Sequence, residues 1–159
     1  MSFSPQSRVW IYQSDRKFTS TEETEILNKL AAFTNQWTAH GNELLAKAEI
    51  RYGFFIVLTV DESQAGVTGC SIDSSVRLIK EIEQEYHVDL FNRFNIAYKV
   101  NGEVVVNSKE DFETLVNIKQ VTPETIVFNN MVQNLAELET KWEVPFKNSW
   151  HSTVFAHLL

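Results

Sequence analysis

The residues best suited to chemistry lie in one loop, between a strand-like run that ends near Val60 and an amphipathic helix. This loop holds two glycines and Cys70, which is the only cysteine of the chain. The first N–H groups of a helix have no intrahelical partner and carry the positive end of its dipole, so they bind anions. We therefore predict a site for a small anionic ligand in the loop, over residues 61–75. Its candidate ligand-binding residues are Gly66, Thr68, Gly69, Ser71, Ser74 and Ser75.

The same loop supports a catalytic hypothesis, a thiol-dependent hydrolase or transferase. A helix N-terminus stabilises the thiolate form of a nearby cysteine, which would make Cys70 the nucleophile. His40 is the candidate base, and Asp73 is the candidate residue that orients it. A cysteine with no diagnostic flanking motif is more often a small buried hydrophobe. We therefore expect a binding or accessory module rather than an enzyme.

The glycines also have a purely structural interpretation, as a turn between strand and helix. The loop is longer than the about two to six residues usual for such connections, which favours a site. It is neither a phosphate-binding loop with Gly-x-x-x-x-Gly-Lys-Ser/Thr nor a dinucleotide fingerprint with Gly-x-Gly-x-x-Gly. Asp61 and Asp73 have oxygen ligands suited to Mg²⁺, but Asp is also the usual turn and cap residue. We predict no metal site and no cofactor.

Composition limits the classes of protein. The chain has 159 residues, enough for one domain over residues 1–159, and its net charge of −7 argues against nucleic-acid binding. The expected partner is a small anionic ligand or another protein. One cysteine excludes an internal disulfide, and no apolar run is long enough to span a membrane or to act as a secretory signal. We expect a cytoplasmic protein.

The elements that must position the loop follow from periodicity and turn residues. Ser20 and Glu23 form a predicted capping box for a first helix that ends near His40 and Gly41. Ser71 or Asp73 is the predicted cap of the second helix. Asn101-Gly102 predicts a hairpin, because both positions of such a turn need positive φ. The other predicted elements are strands at 8–12, 48–52, 54–60 and 125–128, a helix capped by Ser108, a helix at 135–141, and an irregular aromatic tail at 142–155.

These elements predict an α+β fold with a mostly antiparallel sheet and helices on one face. The order strand, helix, strand, strand, helix, strand over residues 8–100 matches the split βαβ plan of ferredoxin-like folds, extended by a hairpin strand.

Five segments of the chain carry a resemblance to known proteins: 8–13, 36–41, 69–73, 128–130 and 138–145. Together they resemble a family of short bacterial proteins that carry the label "ABC transporter ATPase". The label implies ATP hydrolysis beside a membrane permease. The sequence departs from that activity, because it has no phosphate-binding loop and no Leu-Ser-Gly-Gly-Gln-like signature. Asp61-Glu62 imitates only the acidic pair of such enzymes.

Overall fold

The computed structural model describes residues 3–158 and has the α+β class predicted from the sequence. Within this range there are five α-helices, nine strands and two short 3-10 helices. Every strand pair is antiparallel, as predicted for most of the sheet. No helix in the described range is long and apolar enough to cross a membrane.

The chain divides into two compact units. The first comprises residues 1–91 and 133–136, and the second comprises residues 92–132 and 137–159. Each has its own hydrophobic core. The single domain predicted for residues 1–159 stays a prediction.

The first unit contains a three-stranded sheet, a short hairpin and two long helices. The sheet has the strand order β1-β5-β4, and β2 pairs with β3 in the hairpin. The bounds are β1 Arg8–Gln13, α1 Ser20–Gln36, β2 Thr38–Ala39, β3 Asn42–Glu43, β4 Leu45–Arg51, β5 Phe55–Asp61 and α2 Gly69–Tyr86.

Both long helices pack on one face of this sheet. Alternate residues of a strand point to the same face, and the register places Trp10 opposite Leu58 and Tyr12 opposite Ile56. These side chains form one core cluster with the apolar stripes of the helices, Ile26 and Leu30 from α1 and Ile79, Ile82 and Tyr86 from α2. The prediction of helices on one face is confirmed for this sheet.

Strand β5 is buried at each of its positions, as expected for a central strand covered on both faces. Its C-terminal end, at Asp61, leads directly into the loop that precedes α2. The sheet therefore fixes where this loop begins.

The second unit is a four-stranded sheet of order β7-β6-β8-β9 with short helices. The Asn101-Gly102 turn is confirmed, with φ of 52° and 82°. Ser108 caps α3, as predicted, because its side chain accepts a hydrogen bond from the N–H of Asp111. The bounds are β6 Asn95–Val100, β7 Glu103–Ser108, α3 Lys109–Asn117, β8 Ile126–Phe128, α4 Leu135–Lys141, β9 Glu143–Pro145 and α5 Trp150–Val154, with 3-10 helices at Phe146–Asn148 and Ala156–Leu158. The first two residues of α4 belong to the first unit.

Two predictions need correction. The strand order β1-β5-β4 agrees with three strands of the split βαβ plan, but the expected fourth strand, β6, pairs with β7 and β8 instead. The tail is also more regular than predicted, since it contains β9 and α5. Its Phe146 and Phe155 are buried in the core of the second unit, which agrees with the expected packing of the tail.

Candidate functional site

An open hollow of about 540 Å³ lies at the start of α2. We call it the α2 hollow. One side is the first turn of α2, and the other is the β2–β3 hairpin. Six of its seven lining residues were predicted as site residues; Thr38 is the addition. The lining residues are Thr38, His40, Thr68, Gly69, Cys70, Ser71 and Ser74.

The first turn of α2 is held by a capping box. The N–H of Ser71 donates to the Thr68 hydroxyl oxygen across 3.2 Å, and the N–H of Thr68 donates to the Ser71 hydroxyl oxygen across 2.7 Å. The cap is therefore Thr68, which lies before both predicted caps, Ser71 and Asp73. A cap of this kind satisfies some of the orphan N–H groups at a helix start and leaves others free.

The free donors at this helix start are the N–H groups of Gly69 and Cys70. Neither group has a hydrogen-bond acceptor among the residues that the structure describes. Both residues are exposed and line the hollow. Of the next two N–H groups along the chain, that of Ser71 donates to the Thr68 hydroxyl oxygen, and that of Ile72 donates to the Thr68 carbonyl oxygen across 2.9 Å. The backbone donors open to a ligand are therefore two neighbouring N–H groups. They are fewer than the donors predicted for the loop over residues 61–75.

Trp37 connects the hairpin side of the hollow to the helix side. Its indole Nε1 donates to the main-chain oxygen of Ser71 across 2.8 Å, and its side chain is 4% exposed. The ring lies 4.9 Å from the ring of Phe33, centroid to centroid. This hydrogen bond was not predicted, because a pattern of spacings does not reveal a hydrogen bond between distant residues.

His40 reaches the hollow from a turn, not from a helix. The predicted first helix ends at Gln36, and residues 38–43 form the β2–β3 hairpin instead. His40 and Gly41 occupy its turn with φ of 51° and 79°, the left-handed region that a tight two-residue turn requires. Buried Ala39 and Leu44 anchor the hairpin in a cluster with Trp37, so the exposed imidazole is held beside the first turn of α2.

The three candidate catalytic residues are only partly brought together. Cys70 is exposed and lines the hollow with His40. Asp73 is exposed on α2 and is not among the lining residues. Within the described part of the chain, no hydrogen bond or ion pair joins any two of these side chains. The expectation that Cys70 is a small buried hydrophobe is wrong, since the thiol side chain is open to solvent.

Several candidate ligand-binding residues have other roles. Ser75 is 2% exposed, and its hydroxyl donates to the Ile72 carbonyl oxygen across 2.6 Å, so it lies on the buried face of α2. The Ser74 hydroxyl lines the hollow but donates to the carbonyl oxygen of Cys70 across 3.0 Å. Ser71 is committed to the cap. Gly66 does not line the hollow.

The loop before the helix is closed by its own acidic residues. One oxygen of Asp61 accepts from the N–H of Ser63 across 3.0 Å, and the other accepts from the N–H of Ser4 across 2.9 Å. These N–H groups hold the pKa of Asp61 below its usual value. Glu62 accepts from the N–H of Val67 across 3.0 Å. The carboxylates therefore organise the loop, and the unoccupied donors are confined to its last part.

No group of three or more metal-ligating side chains occurs within residues 3–158. Both oxygens of Asp61 accept backbone hydrogen bonds, and Asp73 lies outside the hollow. Nothing in this arrangement gathers the oxygen ligands that a divalent cation needs.

A second groove, of about 640 Å³, runs between α1 and α2 away from the predicted residues. Its floor includes Ala32, Leu78 and Ile82, and Lys29 pairs with Glu85 across 3.1 Å at its rim. It offers side-chain packing but no free backbone donor, so the α2 hollow is the better candidate site.

Comparison with family models, with curated proteins and with solved structures finds no match for this chain. The resemblance to the family labelled "ABC transporter ATPase" stays a prediction. Function must therefore be argued from the hollow itself.

Proposed function

We propose that the chain binds a small anionic ligand, through a carboxylate or phosphate group, in the α2 hollow. The observation that carries this proposal is the pair of adjacent N–H groups of Gly69 and Cys70, which lack acceptors among the described residues and line the hollow. Two N–H groups in a row at a helix start are a common arrangement for holding one anionic oxygen or two.

The electrostatics of α2 support the proposal. Its positive N-terminal end has no acidic residue in the first turn, whereas α1 has Glu22 and Glu23 there and α3 has Glu110 and Asp111. An acid in the first turn would neutralise the helix dipole and compete with a ligand. The positive end of α2 is left for an external anion.

The side chains around these donors also suit an anion. No acidic residue lines the α2 hollow. The exposed hydroxyl of Thr38 can donate a hydrogen bond, and His40 adds positive charge when its imidazole is protonated.

One enzyme class is an alternative for this geometry, a thiol-dependent hydrolase or transferase with Cys70 as nucleophile and His40 as base. The hollow that both side chains line supports this enzyme class, but no hydrogen bond joins the two side chains in the part of the chain that the structure describes. Activation of a thiol requires such a base or a comparable partner. Anion binding needs only the donors that are present.

A titration of the isotope-labelled chain with inorganic phosphate and with acetate tests the proposal. The expected result is a saturable shift of the amide resonances of residues 69 and 70, with smaller shifts at Thr38 and His40. Amide resonances of β1 serve as the internal reference. Unchanged resonances at residues 69–74 with phosphate, acetate and a library of anionic metabolites would contradict it.

A further inference from the structure

The sheet of the second unit has a long strand, β7, at one of its edges. In the order β7-β6-β8-β9, strand β7 spans Glu103–Ser108, whereas the opposite edge, β9, has three residues and ends in Pro145. A proline and a short length are two ways in which proteins block edge pairing. Only the β7 edge of this sheet is long enough to accept another strand.

The hairpin geometry tells which backbone groups of β7 point outward. Val100 and Glu103 flank the two-residue turn and form a hydrogen-bonded pair, and such pairs alternate along an antiparallel ladder. The N–H and C=O groups of Val104 and Val106 therefore point away from β6. Neither residue has another strand or loop as a backbone partner within the described residues.

The middle of β7 carries no charged side chain that would prevent pairing. Val104, Val105 and Val106 are three consecutive uncharged, β-branched residues. The edge strand β4 of the first unit carries Lys47, Glu49 and Arg51 at alternate positions, the usual protection of an edge. The other edge of that sheet, β1, is bonded to residues 133–135.

The charges at the two ends of β7 favour an antiparallel partner of the same sequence. Glu103 stands at one end and Lys109 just beyond the other, both are exposed, and neither forms an ion pair among the described residues. Antiparallel pairing of two copies about Val105 places Glu103 opposite Asn107 of the second copy, two residues before its Lys109 at the start of α3. Parallel pairing would place like charges together, which is unfavourable.

This register also satisfies the outward backbone groups. With the two-fold axis at Val105, Val104 of each copy faces Val106 of the other, and these are the residues whose N–H and C=O groups are outward. Four new hydrogen bonds then form by symmetry, and the interface closes on itself. A strand of unrelated sequence would match the backbone but not both charges.

We propose that the chain forms a two-fold dimer by antiparallel pairing of β7 with β7 of a second copy. Each chain has a mass of 18.3 kDa, so the dimer has twice that mass. The interface is small, and interfaces of this size bind weakly, with a dissociation constant expected in the micromolar range.

Sedimentation of the full chain over a wide concentration range tests the dimer. The first variant is Val106→Pro, which removes an outward N–H and keeps the bonds to β6, and its matched control is Val106→Thr, which keeps the N–H and the β-branched shape. The proline variant should weaken dimerisation at least about tenfold because each dimer loses two hydrogen bonds. The threonine variant should dimerise as the wild type does.

Charge exchange gives a second test that does not alter the backbone. Glu103→Lys and Lys109→Glu should each weaken dimerisation about fivefold at low salt, and the double exchange should restore it. A wild-type chain that stays monomeric at every concentration overturns the proposal. If neither the proline variant nor the charge variants change the dissociation constant, the dimer uses another surface, and this result also overturns the proposal.

Discussion

Trp37 and Ser71 are joined by a hydrogen bond of 2.8 Å, from the indole Nε1 to the main-chain oxygen. The bond links the residue that follows α1 to the first turn of α2. It is buried, and the two residues are 34 positions apart in sequence. The position of the free N–H groups relative to Thr38 and His40 thus depends on one long-range contact.

Replacing Trp37 by phenylalanine should lower stability and weaken anion binding together. The variant loses the indole donor, leaves the Ser71 oxygen with one partner fewer, and opens a small void, for a combined cost of about 2 kcal/mol in the free energy of unfolding. Urea unfolding and phosphate titration measure the two effects. Trp10→Phe is the matched control, since Trp10 packs 6.2 Å from Trp37, centroid to centroid, and donates no hydrogen bond to α2. Equal effects in both variants would contradict the role given to the bond.

The exposed thiol of Cys70 should react with an alkylating reagent in the folded protein. Inorganic phosphate should slow this reaction, because the ligand and the thiol share the α2 hollow. The rate with and without phosphate, followed by mass, is the measurement, with sodium chloride at equal ionic strength as the control. A rate that does not respond to phosphate would count against binding beside Cys70.

The Arg16–Glu22 ion pair should stabilise the first unit at neutral pH and lose this effect in acid. Arg16 donates to both carboxylate oxygens of Glu22, each across 2.8 Å, and to the carbonyl oxygen of Tyr86 across 2.7 Å. The guanidinium of Arg16 lowers the pKa of Glu22 from 4.5 to about 2. Since folding lowers this pKa, the stabilisation is present above pH 4.5 and is lost as the pH falls toward 2.

Glu22→Gln should therefore be less stable than the wild type at neutral pH, by about 1 kcal/mol for this partly exposed pair. The difference should shrink as the pH falls through the same interval. Denaturant unfolding at several pH values measures it. Glu23→Gln is the neighbouring control, because Glu23 forms no ion pair within the described range. A difference that is independent of pH would contradict the assignment.

His151 should make the second unit sensitive to acid. Its side chain is 2% exposed, its Nδ1 has no hydrogen-bond partner among residues 3–158, and its ring stacks on Trp150 at 3.7 Å. Burial lowers the pKa of His151 from 6.5 to about 4. The unfolded chain then binds the proton more readily, so stability should decline by up to a few kcal/mol as the pH falls from 6.5 to 4.

The variant His151→Phe keeps a stacked ring and removes the titrating group. Its stability should change less than that of the wild type over this interval, as followed by thermal unfolding at successive pH values. His157→Gln alters an exposed histidine and should behave as the wild type. An unchanged pH profile in His151→Phe would show that other groups cause the decline.

The sequence predicted local features such as turns and helix caps. It did not predict contacts between residues that are far apart in the chain. Asn101-Gly102 specified its hairpin because both positions need positive φ, and Ser108 capped α3 as predicted. The cap of α2 was placed too late because Thr68, Ser71 and Asp73 all have capping side chains within a short stretch. Only the structure shows which of them bonds to the helix N–H groups.

The hairpin that carries His40 was not predicted, because the sequence around it fits a helix end as well as a turn. In the sequence, Trp37 follows Ile26, Leu30 and Phe33 at helical spacing, which suggests a longer first helix. A glycine after a helix is as typical of its C-terminus as of a tight turn. The fourth strand of the predicted split βαβ plan failed for another reason: β6 finds its partners at β7 and β8. Strand partners separated in sequence are not encoded by local periodicity.

The affinity of two variants at Gly69 for inorganic phosphate tests the proposed function most directly. Gly69→Pro removes one of the two free N–H groups, and proline suits the first position of a helix. Thr68, before it, already has the extended backbone that a following proline requires, with φ of −121° and ψ of 168°. Gly69→Ala keeps the N–H, and its added methyl group meets nothing within 4 Å.

We predict that Gly69→Ala binds phosphate as the wild type does and that Gly69→Pro binds it about tenfold more weakly, the effect of losing one hydrogen bond to a charged group. Equal affinities of the proline and alanine variants would contradict the account.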